Sequence, residues 1–343
     1  MEEETNNPLR DKYGRFPHYA SSNPDVFSPL VSQFIHSRLG TISYPDDRKF
    51  AVCLSHDVDF LTFRKSAYLQ SVLLSKSLLK GDLSTFKKQK QTPRAIHPDF
   101  SLENTLAIEK KFNARSSFYF LALDETEQDF NYKMEEALDQ LKMVEQSGCE
   151  IGLHGGHGAS EDISILKNHK KKLESACKRE ISGYRSHFLR LSVPKTWELL
   201  EAEGFLYDTT LGFSDCAGFR NGMCHPFYPW NPLKKKFGEL VEVPLVIMDV
   251  TLFNHMQLDV AKAKQFCLGL LDKVEKVNGV LSFLWHNNNM KGAMGEFYSW
   301  FLSECKRRNA WLTDTRTIVE YALEEKIPAR ILNVMKEEKE HHK

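Results

Sequence analysis

Short apolar runs alternate with longer segments of helical periodicity along most of the chain. Short runs of this kind are typical of buried strands, and their alternation with helices predicts a parallel α/β sheet. Such a sheet is either doubly wound or closed into a barrel. The predicted strands are Phe50–Leu54, Ser117–Leu123, Cys149–Leu153, Ile181–Tyr184, Phe205–Tyr207, Val241–Met248 and Val280–Trp285. The predicted helices include Tyr132–Gln146, Ile165–Lys178, Pro194–Ala202 and Val260–Val277.

Three segments depart from this pattern. Residues 1–45 are rich in Pro, Asn, Ser and Asp, which predicts an irregular N-terminal arm with one short helix near Pro29–Arg38. Residues 61–95 are predicted to form a helical insertion after the first strand, basic towards its end. A basic face of this kind is either a solvated covering surface or a contact for an anionic substrate or partner. Residues 331–343 are predicted to be a charged tail, which leaves residues 46–330 as one domain.

The composition excludes several classes of protein. The 46 Lys and Arg residues balance the 46 Asp and Glu residues, so no long-range field attracts nucleic acid or anionic lipid. No predicted strand opens onto a G-x-G-x-x-G motif or a P-loop, which removes the usual nucleotide-binding interpretations. Function is therefore expected to reside in a local site.

Cysteine usage and the N-terminal residues indicate a reducing compartment. The seven cysteines are scattered and contain no C-x-x-C pair, unlike a disulfide framework or a cysteine zinc site. Met1–Asn7 is acidic and polar, unlike a secretory signal, and no run of about 18 apolar residues is available to span a membrane. We therefore expect a cytoplasmic protein without a transmembrane segment.

Acids, imidazoles and one arginine follow six of the predicted strands. In parallel α/β folds the active site forms at the carboxyl ends of the strands, so these side chains are expected to meet. Their shared position indicates a functional site more strongly than any single residue does. They are His56, Asp57, Asp59, His154, His157, Arg185, His187, Asp208, Asp249 and His286.

Two of these groups have the spacing of a metal-assisted active site. Asp57 and Asp59 are two residues apart on an extended segment, so both side chains point to one face. One carboxylate can then bind a cation while the other accepts a proton. His154 and His157 flank two glycines that permit a tight turn. Two imidazoles with a carboxylate form a common catalytic zinc set.

In their order along the chain, these motifs resemble those of the metal-dependent polysaccharide deacetylases of carbohydrate esterase family 4. The resemblance extends from about Phe50 to Trp311, and it implies a distorted (β/α)7-type barrel in a single domain. The motifs that carry it are LSHDVD (Leu54–Asp59), RSSFYF (Arg115–Phe120), GCEIGLHGGH (Gly148–His157), GYRSHFLR (Gly183–Arg190) and LSFLWHN (Leu281–Asn287).

The resemblance also implies a role for each strand-end residue. Asp57 would be the catalytic base, Arg185 would orient it, and His286 would protonate the leaving group. The expected ligands of a divalent metal, with Zn²⁺ as the first choice, are Asp59, His154 and His157. The residues assigned to substrate binding are His187, Asp208, Arg220 and Trp285, with Trp230 as a further candidate for sugar stacking.

The chain departs from the family pattern at three positions. Val58 separates the two aspartates, which are adjacent in the family. The family's metal histidines are four residues apart, whereas those here are three apart and Gly158 takes the fourth position. His187 stands where the arginine motif of the family has Pro. It is therefore an alternative to His157 as the third metal ligand.

We expect a hydrolase that removes an acetyl group, in the first instance an N-acetyl group, from a sugar or an intracellular glycan precursor. Two alternatives stay open at this point. One keeps the metal centre but acts on a small non-sugar amide or cyclic imide. The other is a glycan-binding relative without catalysis. Nucleic acid is not an expected partner, and the sequence leaves the oligomeric state open.

Overall fold

The computed structural model describes residues 2–63, 95, 96, 100 and 102–341. Its strands are β1 Phe50–Val58, β2 Thr62–Phe63, β3 Ala95–Ile96, β4 Ser117–Leu121, β5 Glu150–Gly155, β6 Gly183–Ser186, β7 Tyr207–Asp208, β8 Trp230–Asn231, β9 Lys236–Phe237, β10 Val241–Glu242, β11 Leu245–Met248, β12 Val280–Leu284 and β13 Ala310–Thr313. Its α-helices are Glu2–Asn6, Leu30–Leu39, Glu103–Phe112, Met134–Gln146, Ile163–Cys177, Lys195–Ala202, Val260–Lys276, Gly292–Arg307, Thr315–Glu324 and Ile327–His341. Most of the helical insertion that we predicted at residues 61–95 lies outside the described residues.

A curled parallel sheet forms the centre of the molecule. Its strands follow the order β10-β7-β6-β5-β4-β1-β12-β11, and β13 pairs with the first half of β1. Each pairing within this sheet is parallel, and helices connect successive strands such as β4 to β5 and β5 to β6. This is an α/β fold of the barrel type, which confirms the predicted fold class.

One chain segment brings the two edges of the sheet together. We predicted a single strand over Val241–Met248, but the structure divides this segment into β10 and β11 on either side of Val243 and Pro244. β10 pairs with β7, and β11 pairs with β12 at the other end of the strand order. Because proline has no N–H to donate, a change of partner strand at Pro244 sacrifices little hydrogen bonding. A short covalent link therefore joins the two edges and curls the sheet.

The other predicted elements overlap the observed ones, with differences at their ends. The arm contains the predicted short helix, at Leu30–Leu39. β13 was not predicted, and the helix Ile327–His341 runs through most of the segment that we predicted to be a charged tail. Among the described residues, no helix combines the length and apolar character of a membrane span. The seven cysteines carry free thiols, as expected.

The strands are buried on both faces, which leaves polar chemistry to their ends. All nine residues of β1 are buried, as are all five of β12. Phe283 of β12 stacks on Phe301 of the helix Gly292–Arg307 with ring centroids 3.9 Å apart, and Trp285 stacks on Phe297 of the same helix at 5.3 Å. These apolar layers hold the strands rigidly, so the side chains at their carboxyl ends have fixed positions.

Candidate metal centre and active site

The carboxyl ends of the parallel strands border a cleft of about 710 Å³. Side chains from the ends of five strands (β1, β5, β6, β11 and β12) and from the N-terminal arm line it. A cleft of this size can hold a small ligand of one to a few rings. The residues predicted for the site that line the cleft are Asp57, Asp59, His154, His187 and His286.

Three of these side chains converge on one point. His154 Nε2 lies 3.3 Å from Asp59 Oδ1, and His187 Nδ1 lies 3.6 Å from the same oxygen. The two ring nitrogens are 3.1 Å apart. Tetrahedral coordination at about 2.0–2.1 Å places neighbouring ligand atoms about 3.3 Å from one another. The triangle formed by Asp59, His154 and His187 therefore has the size of one face of a zinc tetrahedron.

The hydrogen bonds of the two histidines leave these nitrogens free to bind a cation. The second ring nitrogen of His154, Nδ1, lies 3.0 Å from the carbonyl oxygen of Arg185, which can only accept a hydrogen bond. Nδ1 of a neutral His154 therefore carries the proton, and Nε2 presents a lone pair. Burial lowers the pKa of His187 to about 4, so its imidazole is also neutral at ordinary pH. Asp59 Oδ1 is buried and has no hydrogen-bond partner among the described residues.

The electrostatics of the triangle favour a positive charge. Burial lowers the pKa of His154, but the carboxylates of Asp57 and Asp59 raise it overall. Burial raises the pKa of Asp59, yet the neighbouring histidines bring it well below its usual value. Two imidazoles and a carboxylate around one point suit Zn²⁺ and similar divalent ions. The residues present thus fit a divalent metal.

His187 completes this set, whereas His157 does not. The His157 ring points to Asp129, with Nε2 2.8 Å from Asp129 Oδ2. The structure therefore places His187, the alternative third ligand that the sequence left open, beside Asp59 and His154. Asp129 and His157 form a second group of possible ligands with the far side of His187.

Asp57 lies beside the triangle and in reach of Arg185. Asp57 Oδ1 is 3.8 Å from Arg185 Nη1, and Asp57 Oδ2 is 3.6 Å from His154 Nε2. Arg185 is fully buried, and its Nη2 donates to the hydroxyls of Ser55 and Thr209 at 3.0 and 3.3 Å. These bonds fix the guanidinium, so its charge orients the Asp57 carboxylate. Asp57 Oδ1 accepts no hydrogen bond from the described residues, which leaves a lone pair for a proton.

Next to Asp59 of the triangle, His286 is held by Asp249. His286 Nδ1 is 2.6 Å from Asp249 Oδ1, and the His286 backbone N–H donates to Asp249 Oδ2 at 2.9 Å. Nε2 is left facing Asp59 Oδ2 at 3.7 Å. Burial alone would lower the pKa of His286, but the nearby carboxylates, Asp249 first among them, raise it to about 10. The raised pKa favours the protonated imidazole of His286, which can then act as a proton donor.

Asp249 was not assigned a role from the sequence. It follows an apolar run at the end of β11, as the other site residues follow theirs, and that position was the available signal. Asn289 donates to Asp249 Oδ2 at 2.7 Å and completes its hydrogen bonding. Asp129 lies in a loop that carries no comparable pattern.

Trp285, which we predicted to bind substrate, belongs to the core. Its side chain has no exposed surface, and it stacks on Phe283 and Phe297 with ring centroids 5.3 Å apart in each case. The indole N–H donates to the carbonyl of Asn289 at 2.9 Å. Trp230 also lies outside the cleft, with its ring against Phe237 at 4.9 Å.

Asp208 and Arg220 also lie outside the cleft, contrary to our assignment. Asp208 is buried and accepts hydrogen bonds from the Thr210 backbone N–H and from Trp197 Nε1, and burial raises its pKa to about 6. Arg220 is buried too and forms a two-bonded ion pair with Glu4 of the N-terminal arm, at 2.9 and 2.5 Å. Both residues thus have partners that account for their burial.

The N-terminal arm forms one wall of the cleft, which the sequence did not predict. Tyr13 stacks on Phe188, the neighbour of His187, with centroids 4.6 Å apart and planes at 14°. Arg15 Nη1 donates to the carbonyl of Phe188 at 3.2 Å. His18 Nδ1 pairs with Asp215 at 2.8 Å on the same wall. The arm is therefore a bound part of the site.

Comparison with known proteins identifies the fold. No family model matches the sequence, and no curated protein does. Among solved structures, a Mycobacterium smegmatis protein described as a polysaccharide deacetylase is 22% identical with a TM-score of 0.59, over 83% of this chain and 94% of that chain. An allantoinase, PuuE, is 17% identical with a TM-score of 0.53, over 91% of this chain and 98% of that chain. The likeness to deacetylases expected from the motifs is confirmed for the fold.

Proposed function

We propose that this chain is a metal-dependent hydrolase that removes an acetyl group, first of all an N-acetyl group, from a sugar or a glycan precursor. One observation carries the proposal. The carboxylate of Asp57 lies beside His154 of the triangle, and the imidazole of His286 faces Asp59 of the same triangle. A cation site flanked by a base and an acid is the arrangement that amide hydrolysis requires.

Asp59, His154 and His187 would hold the metal through one oxygen and two nitrogens. When bound, a divalent ion at such a site polarises a carbonyl oxygen and lowers the pKa of water from about 16 towards 7. With three protein ligands, a metal held here would keep a coordination position for water or substrate, as catalytic zinc sites do.

Asp57 would take the proton of the attacking water. Its Oδ1 accepts no hydrogen bond from the described residues, while Arg185 at 3.8 Å keeps the carboxylate oriented. Positioned general bases typically accelerate such steps by about 10²–10⁴-fold.

His286 would protonate the departing nitrogen. An amine leaves poorly unless it receives a proton, so an imidazolium within the cleft lowers the barrier to collapse of the tetrahedral intermediate. Asp249 keeps His286 charged and fixes its ring with Nε2 towards the cleft. His286 Nε2 lies near Asp59 and the Asp57 carboxylate lies near His154, so one group would donate a proton and the other would accept one.

The test combines metal content with acetate release. We would measure bound Zn²⁺ per chain and the acetate released from N-acetylglucosamine, its short oligomers and an O-acetylated sugar. Asp57→Asn should reduce acetate release by about 10²–10⁴-fold and retain the metal, whereas Asp59→Asn should lose both. His286→Ala should impair N-acetyl release more than O-acetyl release, because an alcohol leaves more easily than an amine. Asp124→Asn changes an exposed aspartate outside the cleft and is the matched control.

The two alternative functions predict different results. Ring opening of a cyclic imide by the wild type, without acetate release, would favour the small-amide hydrolase. Glycan binding that is unchanged in Asp57→Asn, with neither acetate release nor bound metal in the wild type, would favour a non-catalytic protein. Equal acetate release by the wild type and the Asp57 and His286 variants would refute the mechanism.

A further inference from the structure

A single carboxylate oxygen lies between two histidines on the outer side of the metal triangle. Asp129 Oδ2 is 2.8 Å from His157 Nε2 and 3.3 Å from His187 Nε2. His187 thus faces the triangle with Nδ1 and faces Asp129 with Nε2. His157 follows β5, and Asp129 lies in the loop after β4, so neither is on the same element as His187.

We propose that Asp129 is a positioning residue that prepares His187 as the third metal ligand, and that His157 holds Asp129 in place. The inference rests on the metal centre of the proposed function. A neutral imidazole carries one ring proton, and a hydrogen-bond acceptor at one nitrogen places that proton there. With Asp129 accepting from Nε2–H, Nδ1 of His187 presents its lone pair to Asp59 and His154. Carboxylate partners of this kind also fix the plane of the ring and increase its basicity towards the metal.

Asp129 needs support because it lies nearer the solvent than the ligand it orients. The side chain of Asp129 is 40% exposed, against 8% for His187. The His157 N–H supplies that support at 2.8 Å, a normal hydrogen-bond length. The three imidazoles pack edge to face in series, with centroids 5.0 Å apart for His154 and His187 and 5.4 Å for His157 and His187. Displacing one ring therefore disturbs the next.

The backbone around Asp129 is also fixed. Its φ of +65° lies in the left-handed region, which Asp tolerates better than most residues. A turn holds this conformation, because the Phe130 N–H donates to the carbonyl of Glu127 at 3.3 Å. The Glu127 carboxylate contacts Nε2 of the buried His169 at 2.9 Å. The carboxylate of Asp129 is thus held over the two histidines by an anchored loop.

A second cation among Asp129, His157 and His187 is the rival explanation of this cluster. The shorter of the two distances to Asp129 favours a hydrogen bond. At 2.8 Å, the separation of Asp129 Oδ2 from His157 Nε2 is shorter than the edge of about 3.3 Å expected for two ligands of one zinc ion. A second cation would also require His187 to lose both ring protons, whereas a hydrogen bond requires it to keep the one it has.

The inference explains why two histidines three residues apart belong to one site. His154 is a ligand of the triangle, and His157 acts through Asp129 on His187. In this proposal His187, and not His157, is the third metal ligand, and His157 holds the carboxylate that orients His187.

The experiment measures metal binding without substrate. Wild type, Asp129→Ala, Asp129→Asn and His157→Gln would be stripped of metal and titrated with Zn²⁺ against a chelating dye. Loss of an outer carboxylate partner costs about 10–100-fold in metal affinity, so we expect that loss for Asp129→Ala and smaller ones for Asp129→Asn and His157→Gln. Asp124→Asn, on the same loop but bonded to Asn168 and Lys172, should bind like the wild type. The absorption bands of bound Co²⁺ should change in Asp129→Ala but not in the control.

Nitrogen-15 NMR of the metal-free protein gives a second readout. The wild type should show His187 as the Nε2–H tautomer, and Asp129→Ala should show a mixture of tautomers. If the variant does not fold, the tautomer in the wild type decides, and an Nδ1–H form would overturn the proposal. So would unchanged Zn²⁺ affinity in Asp129→Ala, or two Zn²⁺ ions per wild-type chain with one lost in the variant. Weaker metal binding without acetate release by the wild type would leave this inference intact and refute the proposed function instead.

Discussion

Replacing Glu150 by Gln should change how the stability of the protein depends on pH. Glu150 begins β5 and is buried, with Oε2 accepting hydrogen bonds from Tyr207 Oη at 2.8 Å and from the Arg316 backbone N–H at 3.0 Å. Its Oε1 has no hydrogen-bond partner among the described residues. Burial, with the charge of Asp314 in second place, raises the pKa of Glu150 from 4.5 to about 7. The folded protein therefore holds this proton more tightly than the unfolded chain does.

The sign and size of the effect follow from this difference. A carboxyl group with a raised pKa stabilises the folded state fully below its unfolded pKa, and the contribution disappears as the pH rises through the folded pKa. Between 4.5 and about 7, at 1.36 kcal/mol for each pH unit, the loss amounts to about 3 kcal/mol. The amide of Gln has no proton to lose, so Glu150→Gln removes this dependence.

The assay is equilibrium unfolding by denaturant at pH 5, 6, 7 and 8, for the wild type and Glu150→Gln. The difference between their unfolding free energies should shift by about 2–3 kcal/mol in favour of the variant from pH 5 to pH 8, since part of the effect is already lost at pH 5. Glu135→Gln, which changes an exposed glutamate at the start of a helix, should show no such shift. A difference between wild type and Glu150→Gln that stays constant across this range would refute the reasoning.

Three further substitutions distinguish a residue of the candidate site from residues that lie outside the cleft. Asp249→Asn should lower N-acetyl hydrolysis with bound metal unchanged, because His286 loses the carboxylate that keeps it protonated; turnover and metal content measured on the same sample test this. Arg220→Met leaves Glu4 buried without its partner and should cost about 3–5 kcal/mol of stability, measured as a lower unfolding midpoint. It should also raise KM, because the N-terminal arm that Glu4 anchors would be less firmly held against the cleft. Trp285→Phe should lower stability by about 1–3 kcal/mol and leave KM unchanged, since the indole lies outside the cleft. A rise in KM without a loss of stability would instead show that Trp285 binds substrate.

The alternation of strands and helices could be predicted because buried strands and amphipathic helices have different spacings of apolar residues along the sequence. Two features of the sheet escaped this reasoning. β10 and β11 read as one apolar run, since a change of partner strand at Pro244 leaves the hydrophobic pattern uninterrupted. β13 is only four residues long and lies between two helices, so its pattern is too short to distinguish a strand from a helix end.

Within the site, residues that follow strands were predictable, and residues positioned by distant partners were not. The arginine of the buried Glu4–Arg220 pair looked like an anion clamp because its partner is 216 residues away in the chain. Strand alternation, in contrast, argues against Trp285 as a sugar platform. If His286 faces the cleft, its neighbour faces the opposite side of the sheet, where the helices pack.

The spacing of the two motifs explains how one sheet can place both the proposed base and the proposed metal ligands. Asp57 lies on β1 with Asp59 directly after its end, and Arg185 lies on β6 with His187 directly after its end, so each pair is two residues apart. Because side chains repeat every second residue on extended backbone, each motif sends one residue to a lower level and one to a level nearer the solvent. The lower pair meets at 3.8 Å between Asp57 and Arg185, and the upper pair at 3.6 Å between Asp59 and His187. The matched spacing therefore places the Asp57 carboxylate one level below the proposed metal ligands, and a shift of either motif by one residue along its strand would turn both of its side chains away from the cleft.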